Sequence, residues 1–127
     1  MAWPADDSVA IVDDEESVGQ ALARFLRVSG LPAQAFGSAE EFLSYTGTPP
    51  SCLVIDVQLG TTTGFELRDC LAERRSAPAP IIFITARDNV AALGPANGTG
   101  VFTWLRKPFR GQALVELLFQ LRATIAK

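Results

Sequence analysis

The sequence contains no histidine. That excludes a His-based catalytic triad, a histidine metal site and a histidine general base. Lysine is scarce, occurring only as Lys107 and the terminal Lys127, so any role that needs an ammonium inside the domain falls on Lys107. No run of Lys or Arg occurs, and the formal net charge is −3, which argues against a nucleic-acid surface. No apolar stretch reaches the roughly 20 residues that span a bilayer. Met1 to Asp7 lacks the basic-then-apolar order of a signal peptide. Cysteine is limited to Cys52 and Cys70, both expected as reduced core thiols. These absences lead to the expectation of a cytoplasmic protein with no membrane contact and no direct nucleic-acid contact.

What remains is a chain of 127 residues, 48% hydrophobic, enough for one domain with a single sizeable core, expected over about 8–126. Apolar β-branched runs alternate with segments of helical period, the βαβ pattern of a parallel sheet covered on both faces. Strands are predicted at 9–12, 33–36, 52–55, 81–84 and 101–105. Val18, Leu22, Phe25 and Leu26 give a first helix that Gly30 ends. Ser38-Ala39-Glu40-Glu41 has capping-box spacing and opens a second. Gly64 precedes a third, with Leu67, Cys70 and Leu71 on one face. Leu114, Leu117, Leu118, Leu121 and Ile125 stripe the last. A fourth helix belongs at 88–98, but Gly94, Pro95 and Gly98 weaken it. An interior proline costs a helix about 3 kcal/mol and a glycine about 1, so this helix is expected to be short or disrupted.

In a doubly wound sheet, ligands gather beyond the carboxyl ends of the strands, where strand order reverses. Four predicted strands deliver polar groups to that edge: Asp13-Asp14, Asp56, Thr85 and Lys107. Taken singly, each has an ordinary structural reading as a turn former, cap, strand-end hydroxyl or solvated loop residue. Together they describe a site. Carboxylates brought into one place repel unless a cation holds them, and hard oxygen ligands suit Mg²⁺. A carboxylate beside that cation can attack phosphorus, a hydroxyl can donate to one phosphoryl oxygen, and an ammonium can pair with another.

The order Val-Asp-Asp-Glu (12–15), Ile-Asp-Val (55–57), Thr-Ala (85–86) and Lys-Pro-Phe (107–109) resembles the receiver domain of two-component response regulators. The likeness runs from Val9 to about Ala126. Its spacing and the Ser-Ala-Glu-Glu-Phe-Leu segment (38–43) are most similar to receivers of the LuxR-type, nitrogen-fixation regulator branch. The resemblance implies a five-stranded parallel sheet flanked by five helices. It implies Asp56 as phosphoacceptor for a histidine kinase or a histidine phosphotransfer protein. Asp13, Asp14, Asp56 and the backbone carbonyl of Gln58 would hold Mg²⁺. Thr85 would be the switch hydroxyl, Lys107 the phosphoryl partner, and Trp104 the aromatic switch, a place usually held by Tyr or Phe. The Lys107–Pro108 bond would be cis. A dimer could form through the fourth helix, fifth strand and fifth helix.

Some residues depart from the pattern. Gly60 stands where the family usually has Pro, which implies a looser loop after Asp56. Thr61-Thr62-Thr63 and Arg110-Gly111 replace common turn and cap residues. Three rivals were weighed. A Mg²⁺-dependent hydrolase of the haloacid dehalogenase type needs an acid two residues after its nucleophile, where Gln58 stands. A flavodoxin-like nucleotide binder needs a phosphate loop after the first strand, where Asp13 to Glu16 would repel phosphate. A phosphate-independent pseudo-receiver is the alternative closest to the main reading. The expectation is therefore a signalling phosphoacceptor, not an enzyme beyond catalysing its own phosphorylation and dephosphorylation.

Overall fold

A computed structural model of the chain describes residues 3–4, 6–60, 62–74, 79–86 and 102–125. Its elements in chain order are β1 (Val9–Val12), α1 (Glu16–Val28), β2 (Ala33–Phe36), α2 (Ala39–Leu43), β3 (Cys52–Asp56), β4 (Gln58–Leu59), β5 (Thr62–Thr63), α3 (Gly64–Arg74), β6 (Ile81–Thr85), β7 (Phe102–Arg106) and α4 (Gly111–Ile125). Five of the strands form one parallel sheet in the order β2-β1-β3-β6-β7. The expected α/β architecture and all five sheet strands are present. The helix expected at 88–98 lies outside the described residues.

Side chains alternate across the sheet, and both faces are covered. Val9, Ile11, Val54, Ile82 and Ile84 meet Ala23 and Leu26 of α1 and Leu114 and Leu118 of α4. Ala10, Val12, Ile55 and Phe83 meet Phe42 of α2 and Leu67 and Leu71 of α3. Burial on both faces is why β1, β3 and β6 read as unbroken apolar runs.

Local chemistry fixes the helix ends. Gly30 takes φ +96° after α1. Its N–H donates to Arg27 O, and Leu31 N–H donates to Leu26 O. That paired bonding, with Leu26 and Leu31 both buried, is a Schellman stop. Ser38 Oγ accepts from Glu41 N–H and caps α2.

Three features differ from the sequence expectations. Phe25 of α1 is 39% exposed, because the face on the sheet is Gly19, Ala23 and Leu26, whose two small members let the helix lie close. Cys70 is not a core thiol. It is exposed, since Gly64, Leu67 and Leu71 form the buried face of α3 and Cys70 falls to one side of it. Cys52 is buried as expected, and both thiols are free. Lastly, the stretch after Asp56 is not a loose loop. β4 and β5 form an antiparallel hairpin, with Gly60 at φ +72° entering its turn. Hairpin turns of two residues favour positive φ, which glycine adopts at no steric cost.

Candidate functional site

Strand order reverses between β1 and β3, since β1 pairs with β2 on one side and β3 on the other. The carboxyl ends of these two strands carry Asp13 and Asp56. Asp56 ends the central strand, 7% exposed. Asp13 follows β1 and is 2% exposed, while Asp14 beside it faces solvent. One carboxylate oxygen from each of Asp13, Asp14 and Asp56 lies within 4.8 Å of the others. The fold thus gathers the three carboxylates expected from the sequence.

Lys107 reaches this group from the end of β7. Its Nζ donates to Asp56 Oδ2 at 2.8 Å and lies 3.9 Å from Asp13 Oδ2. Its backbone N–H donates to Thr85 O at 2.8 Å, joining the ends of β6 and β7. The Lys107–Pro108 peptide is cis, as the resemblance implies. Thr85 closes β6 and is buried, one residue beyond the Ile84 that pairs with Asp56. The other oxygen of Asp56, Oδ1, accepts from Gln58 N–H at 2.8 Å, and Asp13 Oδ1 accepts from Glu15 N–H at 2.9 Å.

The electrostatics are those of an anionic pocket into which, among the described residues, Lys107 brings a positive charge. Burial pushes the Asp13 carboxyl up, against the Glu15 N–H bond that holds it down, and the charge of Asp56 pushes it further. For Lys107 burial pulls downward, but the hydrogen bond and charge of Asp56 and the charge of Asp13 outweigh it, and the net shift is upward. Asp13 Oδ2 is buried and accepts no hydrogen bond. Buried carboxylate oxygens seldom stay unmatched, and an orphan here fits a pocket built for a cation.

The mouth of the pocket is framed by the β4–β5 hairpin and the start of α3, where the sequence reading passed over Glu66. A Cβ on Gly60 would stand 4.0 Å from Asp14 Oδ2, so the hairpin turn lies over the acidic group. A Cβ on Gly64 would fall 2.8 Å from Asp56 O, so only glycine lets α3 start this close to β3. Thr63 and Glu66 form a reciprocal capping box there, Thr63 N–H to Glu66 Oε1 at 3.1 Å and Glu66 N–H to Thr63 Oγ1 at 3.2 Å. The T-x-x-E spacing was the available signal. Trp104 on β7 is half-buried, with ring centroids 5.3 Å from Phe83 and 5.6 Å from Phe65.

A parallel doubly wound sheet with an acidic cluster, a lysine directly after β7 and a buried strand-end threonine defines a receiver-type site. Comparison with known proteins gives the same class. The response regulator receiver domain matches residues 9–119, and the chain belongs to that family. Members of it serve two-component signalling, with phosphorylation and Mg²⁺ as general features. Nodulation protein W of Bradyrhizobium diazoefficiens is 38% identical over 109 residues, covering 85% of this chain and 48% of that protein. The transcriptional regulatory protein TdiR of Thauera aromatica is 34% identical over 110 residues, 86% of this chain and 48% of that one. The chain therefore spans about half the length of these relatives. Among solved structures, a response regulator receiver protein from Burkholderia phymatum superposes with TM-score 0.72 at 32% identity, covering 91% of this chain and 94% of that one. FixJ-N superposes with TM-score 0.79 at 30% identity, over 93% and 94%. Among the described residues, no helix is long and apolar enough to cross a membrane.

Proposed function

We propose that Asp56 accepts a phosphoryl group from a phosphohistidine on a partner kinase or phosphotransfer protein, in a pocket that takes Mg²⁺. The observation that carries this is the pairing of Asp56 with both a cation, Lys107 Nζ at 2.8 Å, and an acidic cluster whose Asp13 oxygen is unmatched. A carboxylate oxygen of Asp56 attacks phosphorus, the P–N bond breaks, and the nitrogen keeps the electron pair. Gln58 N–H holds Oδ1 of Asp56 in place, so the carboxylate is oriented before the donor arrives. Lys107 then passes its hydrogen bond from the carboxylate to a phosphoryl oxygen, and Thr85 donates to another.

The donor set fits Mg²⁺ well: hard oxygens only, three carboxylates in one cluster and no histidine or thiolate. Asp13, Asp14, Asp56 and the Gln58 carbonyl would hold it. When bound it supplies charge neutralisation for the oxygens of the transferring group. Asp14 is the exposed member and is assigned the direct bond to the ion, with Asp13 acting mostly through water. Dimerisation through β7, α4 and the 88–98 segment is the proposed assembly mode.

Asp56→Asn tests the reading. With Mg²⁺ and a small phosphodonor, the wild type should gain a label that hydroxylamine releases, as an acyl phosphate does. The Asn variant should gain none while keeping its circular dichroism spectrum. Wild-type labelling of the variant would sink the assignment of Asp56, and a wild type that gains no label would favour the phosphate-independent interaction module.

A further inference from the structure

The opposite end of the sheet carries a second set of contacts, and three of its residues, Trp3, Asp7 and Arg122, lie outside the family match at 9–119. Trp3 is 8% exposed, as a core residue is, although only five residues separate it from β1. Its ring meets Phe119 of α4 edge-on, with centroids 5.3 Å apart. Trp3 Nε1 donates to Asp7 O at 2.9 Å, and Asp7 N–H donates to Pro4 O at 3.1 Å, which folds the segment into a turn. Arg122, near the end of α4, closes it twice. Its guanidinium stands 5.9 Å from the Trp3 ring centre, and its Nε donates to Asp7 Oδ2. Ser8 O then accepts from Ser51 and Cys52 N–H, which seats this strap over the start of β3.

This arrangement makes β1 and α4 a closed frame. β1 has Asp7 just before it and Asp13 just after it. Lys107 precedes α4 and Arg122 lies in its last turn. Carboxylate–cation pairs therefore join the two elements at both ends: Asp13 with Lys107 at 3.9 Å, and Asp7 with Arg122. Only residues 108–110 separate Lys107 from α4, a fifteen-residue helix about 22 Å long.

We propose that the Trp3–Asp7 strap is a latch coupled to the acidic pocket, and that filling the pocket opens it. The inference rests on the phosphoryl-site reading. Lys107 now sits against the Asp56 carboxylate. A phosphoryl group on Asp56 places its oxygens farther out from the sheet edge, and Lys107 follows them. That pulls the start of α4 outward. Because α4 runs back along the sheet toward Asp7, the same displacement draws Arg122 off Asp7 and loosens Trp3. The closed latch therefore opposes occupation of the pocket, and breaking it favours occupation.

Cys52 is the built-in reporter. It is 1% exposed, shares its apolar cluster with Trp3, and feels the charges of both Asp7 and Arg122. In a Cys70→Ser background it is the sole thiol, and its rate of alkylation by N-ethylmaleimide measures latch opening. Mg²⁺ with beryllofluoride should raise that rate about fivefold, a typical coupling between two sites. Arg122→Gln and Asp7→Asn should each label fast with or without beryllofluoride. By linkage they should bind beryllofluoride more tightly, by the factor seen in the labelling, in isothermal titration. Hydrogen exchange should stay slow across β3 in both variants while quickening in the strap and the last turn of α4. An unchanged labelling rate in wild-type protein shown to bind beryllofluoride would overturn the latch alone, as would equal affinities in wild type and variants. Loss of protection across β3 would reduce the strap to a general stabiliser and also overturn it. Failure of the wild type to bind beryllofluoride at all would overturn the phosphoryl-site reading, and the latch with it.

Discussion

Asp13 and Cys52 are both buried, and each works against the fold under different conditions. Asp13 is a carboxyl at 2% exposure, next to Asp56, with one oxygen that accepts no hydrogen bond. Without Mg²⁺ its charge is a standing cost, so Asp13→Asn should stabilise the apo protein at neutral pH by on the order of 1 kcal/mol in urea denaturation. A variant less stable than wild type would mean that the charge of Lys107, 3.9 Å away, outweighs the cost of burying the carboxylate. Asp14, being exposed, should show no such gain. Cys52 acts at the alkaline end. Burial, then the charge of Asp7, pushes its thiol from the ordinary 9.0 up to about 11. The folded state thus holds the proton more tightly than the unfolded state does. The stabilisation is fully present below pH 9.0 and is lost as pH rises through about 11. A shift of about two units corresponds to roughly 3 kcal/mol. The stability difference between wild type and Cys52→Ala should therefore shrink across that window. A constant difference from pH 8 to 11 would contradict the buried, shifted thiol.

At the scale of elements, the hairpin between β3 and α3 decides how the pocket is covered. Gly60 has φ +72°, while proline is locked near −65°. Gly60→Pro, which restores the usual residue of the family, should therefore destabilise this chain by about 2 kcal/mol or more in urea, and Gly60→Ala by about 1. A Pro variant as stable as wild type would show that the hairpin is not needed. The sheet strands were legible in the sequence to within a residue, because burial on both faces leaves continuous apolar runs between turn residues. The pocket was equally legible, since Asp13, Asp56, Thr85 and Lys107 each end a strand. The hairpin was not: Thr62-Thr63 is too short for a strand period to register, and the absent proline pointed toward looseness. Cys70 was misplaced because helical spacing puts it near Leu67 and Leu71 without saying which edge of the stripe is wet. The Trp3 strap left no trace either, because a single tryptophan has no periodicity and its partners, Phe119 and Arg122, lie more than a hundred residues away.

Across the whole molecule, the question is how a change at Asp56 reaches the surface. Thr85 lies on β6 beside β7, and Trp104 lies on β7 across from Phe83. The Trp104 ring already rests against Phe83 and Phe65, so it touches both the central sheet and α3. The ring is partly buried rather than fully enclosed. On the proposed reading, Thr85 should move toward a phosphoryl group and free volume beside β7, which the indole should then fill. Apolar burial favours that move, provided the indole N–H keeps a polar partner. Because Phe65 packs on the same ring and carries Arg68 5.7 Å from its own ring centre, the motion should pass into α3 as well as along β7. In a Trp3→Phe variant Trp104 is the only indole. Mg²⁺ with beryllofluoride should then shift its emission to the blue and reduce quenching by acrylamide. Phe65→Ala should weaken both changes while leaving beryllofluoride affinity nearly intact, because Phe65 is not among the groups assigned to the pocket. An unchanged spectrum in protein with the ligand demonstrably bound would rule out inward rotation of Trp104. The signal would then have to leave the pocket by another route, through Lys107 into α4.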